Sequence, residues 1–373
     1  MGERPRPAWA DIDLGAIRRN VARVRERLTP GTQTMAVVKA NAYGHGDVEV
    51  ARAALEAGAT WLGVILVDEG LRLREAGIDV PILLLHEAPA ERAPEAIANA
   101  LTPVVFSDAG VRVLGEAAER AGTTVRAHLK IDTGLNRLGS PPDMLDQLAA
   151  ALAKEPRIEI HALFTHFAFA DQPDHPFIDE QLSRFADACE MLERHGIAPG
   201  FRHAANSAAA LTRSDAHFDM VRLGIAMYGL SPGPKCDGAM TYDPAMALRA
   251  RAAMVKRVRA GEAVSYGHRY RLERDATMVS IPLGYADGWP RALSGNADVL
   301  IGGRRYATVG TVCMDSFMAD IGEDVCEVGD EITLIGEQGG ERIGADDLAR
   351  RLDTINYEIV TRVGARVPRI FHG

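Results

Sequence analysis

Residues 34–49, TMAVVKANAYGHGDVE, decide the fold. The opening TMAVV is mostly apolar and β-branched, and it reads as a strand buried on both faces. In an open doubly wound sheet, the turn after such a strand carries GxGxxG, which lets the backbone approach a dinucleotide closely. Gly44 and Gly46 supply the first two glycines, but Glu49 stands where the third belongs. The fingerprint fails, and the choice of fold passes to the rest of the chain.

Seven further strand candidates follow the first (34–39): 62–67, 81–86, 101–106, 125–131, 158–166, 201–205 and 218–223. Between most of them lie helical stretches, such as 47–57, 68–76, 107–121, 142–153 and 178–195. Apolar residues recur there at three- and four-residue spacing. Gly58, Gly77, Gly122 and Gly196 stand where helices close in a left-handed cap. Strands separated by helices imply right-handed βαβ units. Eight such units predict an α/β fold built on a closed (β/α)8 TIM-type barrel. The segment GLSPGPKCDGAM (229–240) reads as a linker. Beyond it, short strands at 276–281, 297–301, 305–312, 316–321 and 331–335, with a helix around 344–363, predict a mainly β C-terminal domain. The domains are expected over 12–237 and 238–373.

The first strand runs into Lys39. A buried unpaired ammonium is costly, and burial drives lysine toward its neutral amine, a nucleophile and a base. Of 42 basic residues only Lys39, Lys130, Lys154, Lys235 and Lys256 are lysines. Arginine, which stays charged, has taken the other positions. An amine at position 39 therefore asks for a chemical reason.

Barrel chemistry sits at the C-terminal strand ends. Besides Lys39 and Tyr43, those ends bring Lys130 and Arg137, His166, Asn206 and Ser207, and Arg222 with Gly224 and Ile225. Amine, phenol, hydroxyl and guanidinium groups on one rim suit a cofactor bearing an aldehyde and a phosphate. The amine can form a Schiff base, and hydroxyls and glycine-flanked amides can bind the phosphate. Pyridoxal phosphate meets both requirements and acts as an electron sink.

Other readings fail. Asp132-Thr133-Gly134 lacks the second carboxylate loop of an aspartic protease. Gly229-Leu230-Ser231-Pro232-Gly233 matches GxSxG, yet Pro232 has no N–H to lend to an oxyanion hole. His161 and His166 have no HExxH or Cys/His companions, so no metal is expected. Cys189, Cys236, Cys313 and Cys326 show no CxxC spacing and read as packed thiols. A net charge of -9 gives no support for nucleic-acid binding. No apolar run could span a bilayer, and MGERPRPAW has neither a signal h-region nor a myristoylation pattern, so a cytoplasmic location is expected.

Nine stretches in order, AVVKANAYGHG, KIDTGLNRLG, THFAFAD, HAANSAAAL, RLGIAMYGLSP, VSYGHRY, PLGYADGWPR, VGTVCMD and INYEIVTRVGARVPRIF, resemble the bacterial alanine racemases over nearly the whole chain. The resemblance implies a head-to-tail homodimer in which residues 1–11 join the β domain. It implies that Lys39 carries pyridoxal phosphate and serves as one catalytic base, with Tyr266 of the partner subunit as the other. Racemisation removes a proton from one face of Cα and returns one to the opposite face, so two flanking groups serve better than one. A phenol ordinarily titrates near about 10 and needs help to act as a base at neutrality. His166 and Arg222 are implied in the hydrogen-bonded chain that gives it. Arg222 is also implied to face the cofactor's ring nitrogen.

The same resemblance assigns Tyr43, Ser207, Gly224, Ile225 and Tyr357 to the phosphate. Arg137 is assigned to the phenolic oxygen, Arg137 and Met314 to the substrate carboxylate, and Tyr285 to the entrance. Lys130 corresponds to a lysine carbamylated in many relatives. Leu223 stands where many members have proline and Asn136 where many have glycine; asparagine tolerates positive φ. The implied role is D-alanine supply for peptidoglycan. Rival readings are a barrel decarboxylase, which Arg222 opposes, a racemase of serine or lysine, and a barrel that only stores the cofactor. The last would not need the C-terminal third with Tyr266 and VCMD.

Overall fold

The computed structural model describes residues 6–373 and contains two compact units. One comprises 16–42 and 47–243; the other comprises 6–15, 43–46 and 244–373.

The first unit is the barrel. Its strands are Gln33–Val37, Trp61–Val64, Ile82–Leu84, Leu101–Val105, Val125–Lys130, Ile158–Phe164, Arg202–His203 and Met220–Leu223, and every pairing between them is parallel. Pro103 has no N–H for the ladder and splits the fourth strand into Leu101–Thr102 and Val104–Val105. Its carbonyl still accepts from His128 at 3.0 Å, so the ring continues across the break. The seventh and eighth strands meet through Asp219 N–H to Arg202 C=O (3.1 Å) and Arg222 N–H to Ala205 C=O (2.9 Å), and the eighth pairs with the first. The barrel is therefore closed. Residues 61–64, 82–84 and 220–223 are buried throughout, which is why the first two read as unbroken apolar runs rather than alternations and the third is broken only by Arg222.

Helices Asp47–Glu56, Val67–Glu75, Asp108–Ala121, Leu145–Leu152 and Phe177–Arg194 alternate with the strands. Gly122 closes its helix at φ 64°, a left-handed cap that costs glycine little because it has no Cβ, and its N–H donates to the Ala118 and Glu119 carbonyls. The Gly/Pro-rich stretch 229–240 is not a free linker. Leu230, Cys236 and Met240 are buried, Tyr242 Oη donates to Cys236 C=O (2.8 Å), and Asn20 holds Asp243 C=O (2.8 Å). Proline and glycine there shape turns on the barrel's own surface.

The second unit is a largely antiparallel sheet. Ala8–Asp13 pairs with Met246–Arg251 on one side and, in parallel, with Arg369–His372 on the other, which puts 8–13 in this unit's sheet; residues 1–5 of the expected 1–11 segment lie outside the described residues. Strands Met246–Arg251 and Met254–Val258 break the apolar pattern with basic residues, Arg249 and Arg251 at alternate positions in the first and the adjacent Lys256 and Arg257 in the second, so neither reads as a strand from sequence. The expected helix 344–363 is two helices, Ala345–Leu352 and Asn356–Thr361, parted by Asp353 in a left-handed conformation (φ 52°). Cys189, Cys236 and Cys326 are buried, and burial pushes each thiol up to about 11; Cys313 is half-exposed. Among the described residues, no helix is long and apolar enough to cross a membrane.

Candidate active site

The first barrel strand stops at Val37, two residues short of Lys39. Tyr228 Oη donates to Val37 C=O (2.8 Å) and Val38 N–H bonds Gly63 C=O (2.9 Å), which anchors the strand end. The chain then turns through Ala40, Asn41, Ala42 and Tyr43 with φ of 53, 53, 51 and 52°. Left-handed residues other than glycine each cost about 1–2 kcal/mol, so such a run persists only when its surroundings hold it. Glu69 Oε1 accepts from Ala40 N–H at 2.6 Å, and Asn41 Oδ1 accepts from Asp47 N–H at 3.1 Å. Lys39 is half-buried; burial, then the Arg137 charge, lower its pKa against an opposing pull from Glu69.

Four cations cluster in this unit: Lys39, Lys130, Arg137 and Arg222. Burial, followed by Arg222 and Arg137, lowers the pKa of Lys130 to about 8. None of the four forms a salt bridge among the described residues. Lys130 and Arg222 instead approach the ring of Phe164, at 5.5 and 5.4 Å from its centre. A cluster of unpaired cations is electrostatically frustrated until anions arrive. This donor set fits a ligand that brings several negative oxygens.

Arg222 is buried, and burial lowers its pKa to about 9, which leaves it cationic at neutral pH. It donates to Thr165 C=O (2.8 Å), Ala204 C=O (2.8 Å), His166 Nδ1 (3.0 Å) and His203 Nδ1 (2.8 Å). Its Nε–H meets no acceptor among the described residues. Because arginine only donates, both histidines must accept, and the donor–acceptor inventory fixes their tautomers. His203 then carries its proton on Nε2 and donates to His128 Nδ1 at 3.1 Å. Burial, reinforced by Arg222, holds His166 and His203 well below the usual imidazole range, so both are neutral. His128, at about 3, is neutral as well. His203 and His128 did not stand out in the sequence, since a histidine inside an apolar strand reads as core; the HAANS stretch that His203 opens was the signal available for it.

Supporting loops are built the same way. Asp132 Oδ1 accepts from Gly134 N–H (2.9 Å) and Asn136 N–H (3.1 Å), and Asn136 takes φ 55° just before Arg137. Buried Gln181 ties Thr133 Oγ1 (3.0 Å), His166 C=O (3.1 Å) and Ala168 N–H (2.9 Å) together. Ser207 Oγ accepts from Gly224 N–H (2.9 Å) and retains a hydroxyl proton to donate. Ile225 opens a short 3₁₀ turn, whose first amides lack partners within it. Asn206 Oδ1 is occupied in capping the Ser207–Thr212 helix through Ala208 and Ala209 N–H.

The second unit holds the remaining candidates. Tyr43 and Tyr357 lie 6.2 Å apart, and burial pushes the Tyr43 phenol up to about 12, so it stays a donor. Tyr266 is 76% exposed on a tight turn in which Ser265 and His268 have φ of 65 and 47°. Thr311 Oγ1 fixes its carbonyl at 2.8 Å. Tyr285 N–H bonds Cys313 C=O (3.1 Å) and Ala286 N–H bonds Met314 C=O (3.0 Å), which sets the Cys313–Met314 loop. A Cβ on Gly284 would lie 2.3 Å from both of those carbonyl oxygens, so only glycine allows this approach. Met314 and Tyr285 are also exposed.

Comparison with known proteins agrees with this architecture. The alanine racemase N-terminal domain matches residues 12–232 and the C-terminal domain matches 245–371. An alanine racemase of Frankia casuarinae is 49% identical over 366 residues, covering 96% of this chain and 95% of that protein. The alanine racemase of a D-cycloserine-producing Streptomyces lavendulae superposes with a TM-score of 0.94 at 44% identity, covering 100% and 98% of the two chains. An alanine racemase from Bartonella henselae, solved with covalently bound pyridoxal phosphate, superposes with a TM-score of 0.87 at 29% identity, covering 99% and 100%. With both domains matched in order and a near-full-length relative this similar, the chain belongs to the alanine racemase family, enzymes that interconvert L- and D-alanine.

Proposed function

We propose that this racemase works by two opposed bases on bound pyridoxal phosphate, and that it functions as a homodimer in the cytoplasm supplying D-alanine for peptidoglycan. The observation that carries the cofactor reading is the unpaired cation cluster around Lys39. When bound, the cofactor would supply an electron sink for the pair of electrons left at Cα. Lys39 would hold its aldehyde carbon and then shuttle one proton through Nζ. Ser207 Oγ, the Gly224 and Ile225 amides, and the Tyr43 and Tyr357 phenols would hold its phosphate. Arg137 would meet the phenolic oxygen, and Arg222 the ring nitrogen. The Arg222 charge there would oppose protonation of that nitrogen and so would weaken the sink, favouring prompt return of the proton over side reactions. Asn206 would shape the cradle beside Ser207 rather than donate to the ligand.

The exposure of Tyr266, Met314 and Tyr285 on their own unit supports a task on a neighbouring protomer. The partner subunit would bring the Tyr266 phenol as the second base, the Met314 amide to the substrate carboxylate and Tyr285 to the entrance. Neutral His166, held by Arg222, would tune that phenol.

Tyr266→Phe tests the paired bases. Enantiomers have equal free energy, so net conversion must fall equally in both directions; proton abstraction need not. In heavy water, exchange of the Cα proton is expected to fall by roughly 100-fold or more for one enantiomer and to persist for the other. Equal loss for both would remove Tyr266 from the mechanism.

Lys130 would be carbamylated, and its new negative charge would pair with Arg137. Carbamylation needs the neutral amine, and a pKa of about 8 makes that form accessible near neutrality. Labelled bicarbonate should give a carbamate carbon signal that strengthens as pH rises toward 8 and vanishes in Lys130→Ala. A signal that survives the substitution would place the carbamate elsewhere.

A further inference from the structure

We propose that Glu69 is the positioning residue of the Lys39 turn: its carboxylate holds the left-handed run 40–43 in place and thereby aims Lys39. The proposal rests on the reading of Lys39 as the cofactor-bearing lysine.

Glu69 lies in the first turn of Val67–Glu75 and is buried. An acidic residue there ordinarily caps its own helix, and Oε2 does so, accepting from Ile65 N–H (2.9 Å) and Leu66 N–H (3.1 Å). Oε1 does something else. It reaches back to the preceding barrel unit and accepts from Ala40 N–H at 2.6 Å, the shortest of the three contacts. Ala40 is the first left-handed residue after Lys39. Among the described residues Glu69 is the acceptor for that amide, and without it the strained turn would lose its tie to the neighbouring helix. The carboxylate also stands as a negative charge near Lys39, where its pull opposes that of the positive Arg137. One buried carboxylate thus serves two neighbouring strand ends.

Glu87 makes the comparison possible. It spends both oxygens at a single strand end, on Phe106 N–H (2.6 Å), Ser107 N–H (2.8 Å) and Ser107 Oγ (2.8 Å). It has no contact with the Lys39 turn. Glu87 is only partly buried, and Glu87→Gln therefore controls for the general loss of a carboxylate that accepts backbone N–H bonds at a strand end.

The experiment compares Glu69→Gln with Glu87→Gln in the full-length protein. Amide hydrogen exchange is read over peptides 38–44 and 64–70, and the rate at which added pyridoxal phosphate is trapped on Lys39 by borohydride is measured. In Glu69→Gln, exchange over 38–44 is expected to rise and trapping to slow, each by roughly tenfold to a hundredfold, as for loss of one charge-assisted hydrogen bond. In Glu87→Gln both should match the unchanged chain. Faster exchange confined to 64–70 would reduce Glu69 to a helix cap and overturn the proposal, as would equal trapping losses in the two variants. If the unchanged chain were labelled at another lysine, the cofactor reading would fail, while the exchange result would still decide whether Glu69 holds the turn.

Discussion

Lys39→Ala should abolish racemisation, with turnover falling by roughly a thousandfold or more, because one side chain serves as both cofactor tether and proton carrier. Lys39→Arg should be nearly as inactive. It keeps the positive charge beside Glu69 and Arg137 but has no neutral form to offer. The arginine variant guards against misreading a folding defect, since it preserves the charge pattern of the turn. Lys130 cannot substitute: it is buried on a different strand, and its own electrostatics are tied to Arg222 and Arg137. A coupled D-alanine assay measures the loss, with circular dichroism to verify the fold. If Lys39→Arg retained a tenth of the parent turnover, proton transfer through Nζ would have to be abandoned.

The positions of the barrel strands were legible because residues buried on both faces leave continuous apolar runs between glycine-capped helices. Every one of the eight candidates overlaps an observed strand. The β unit was harder. Two of its strands carry basic residues, alternating in LRAR and adjacent in VKRV, and such short pieces leave little apolar signal. The helix at 344–363 looked continuous because nothing at Asp353 announces a left-handed stop. At the site, residues that would touch a ligand were legible as polar groups at strand ends, within a recognisable family pattern. The residues that hold them were not. Glu69 looks like any acidic residue in a first helical turn, and Gln181 like any polar position on an amphipathic helix. His128 and His203 look like core. Their roles come from contacts between elements distant in sequence, which local pattern does not encode.

Arg222→Glu should produce the second large effect, a loss of activity of roughly 100-fold or more, together with a reversed pH dependence of stability. The guanidinium now satisfies Thr165 C=O and Ala204 C=O as well as two histidine nitrogens. A carboxylate donates to none of them, and each buried acceptor left bare costs about 1–3 kcal/mol. In the parent, His166 and His203 have folded pKa values held below their ordinary 6.5. The unfolded chain then binds more protons, so the parent should lose stability as pH falls through about 6.5. With a carboxylate at 222, protonation of His203 becomes favourable and its folded pKa rises. That contribution is present below the unfolded pKa and lost as pH rises through the folded one, which is the opposite slope. Thermal melts between pH 5.5 and pH 8 would measure both slopes at once. Arg222→Lys keeps a donor and a charge, and should retain the parent's slope while losing less activity. If Arg222→Glu melted with the parent's slope, burial alone would account for the neutral histidines, and the guanidinium's share in holding them neutral would have to be given up.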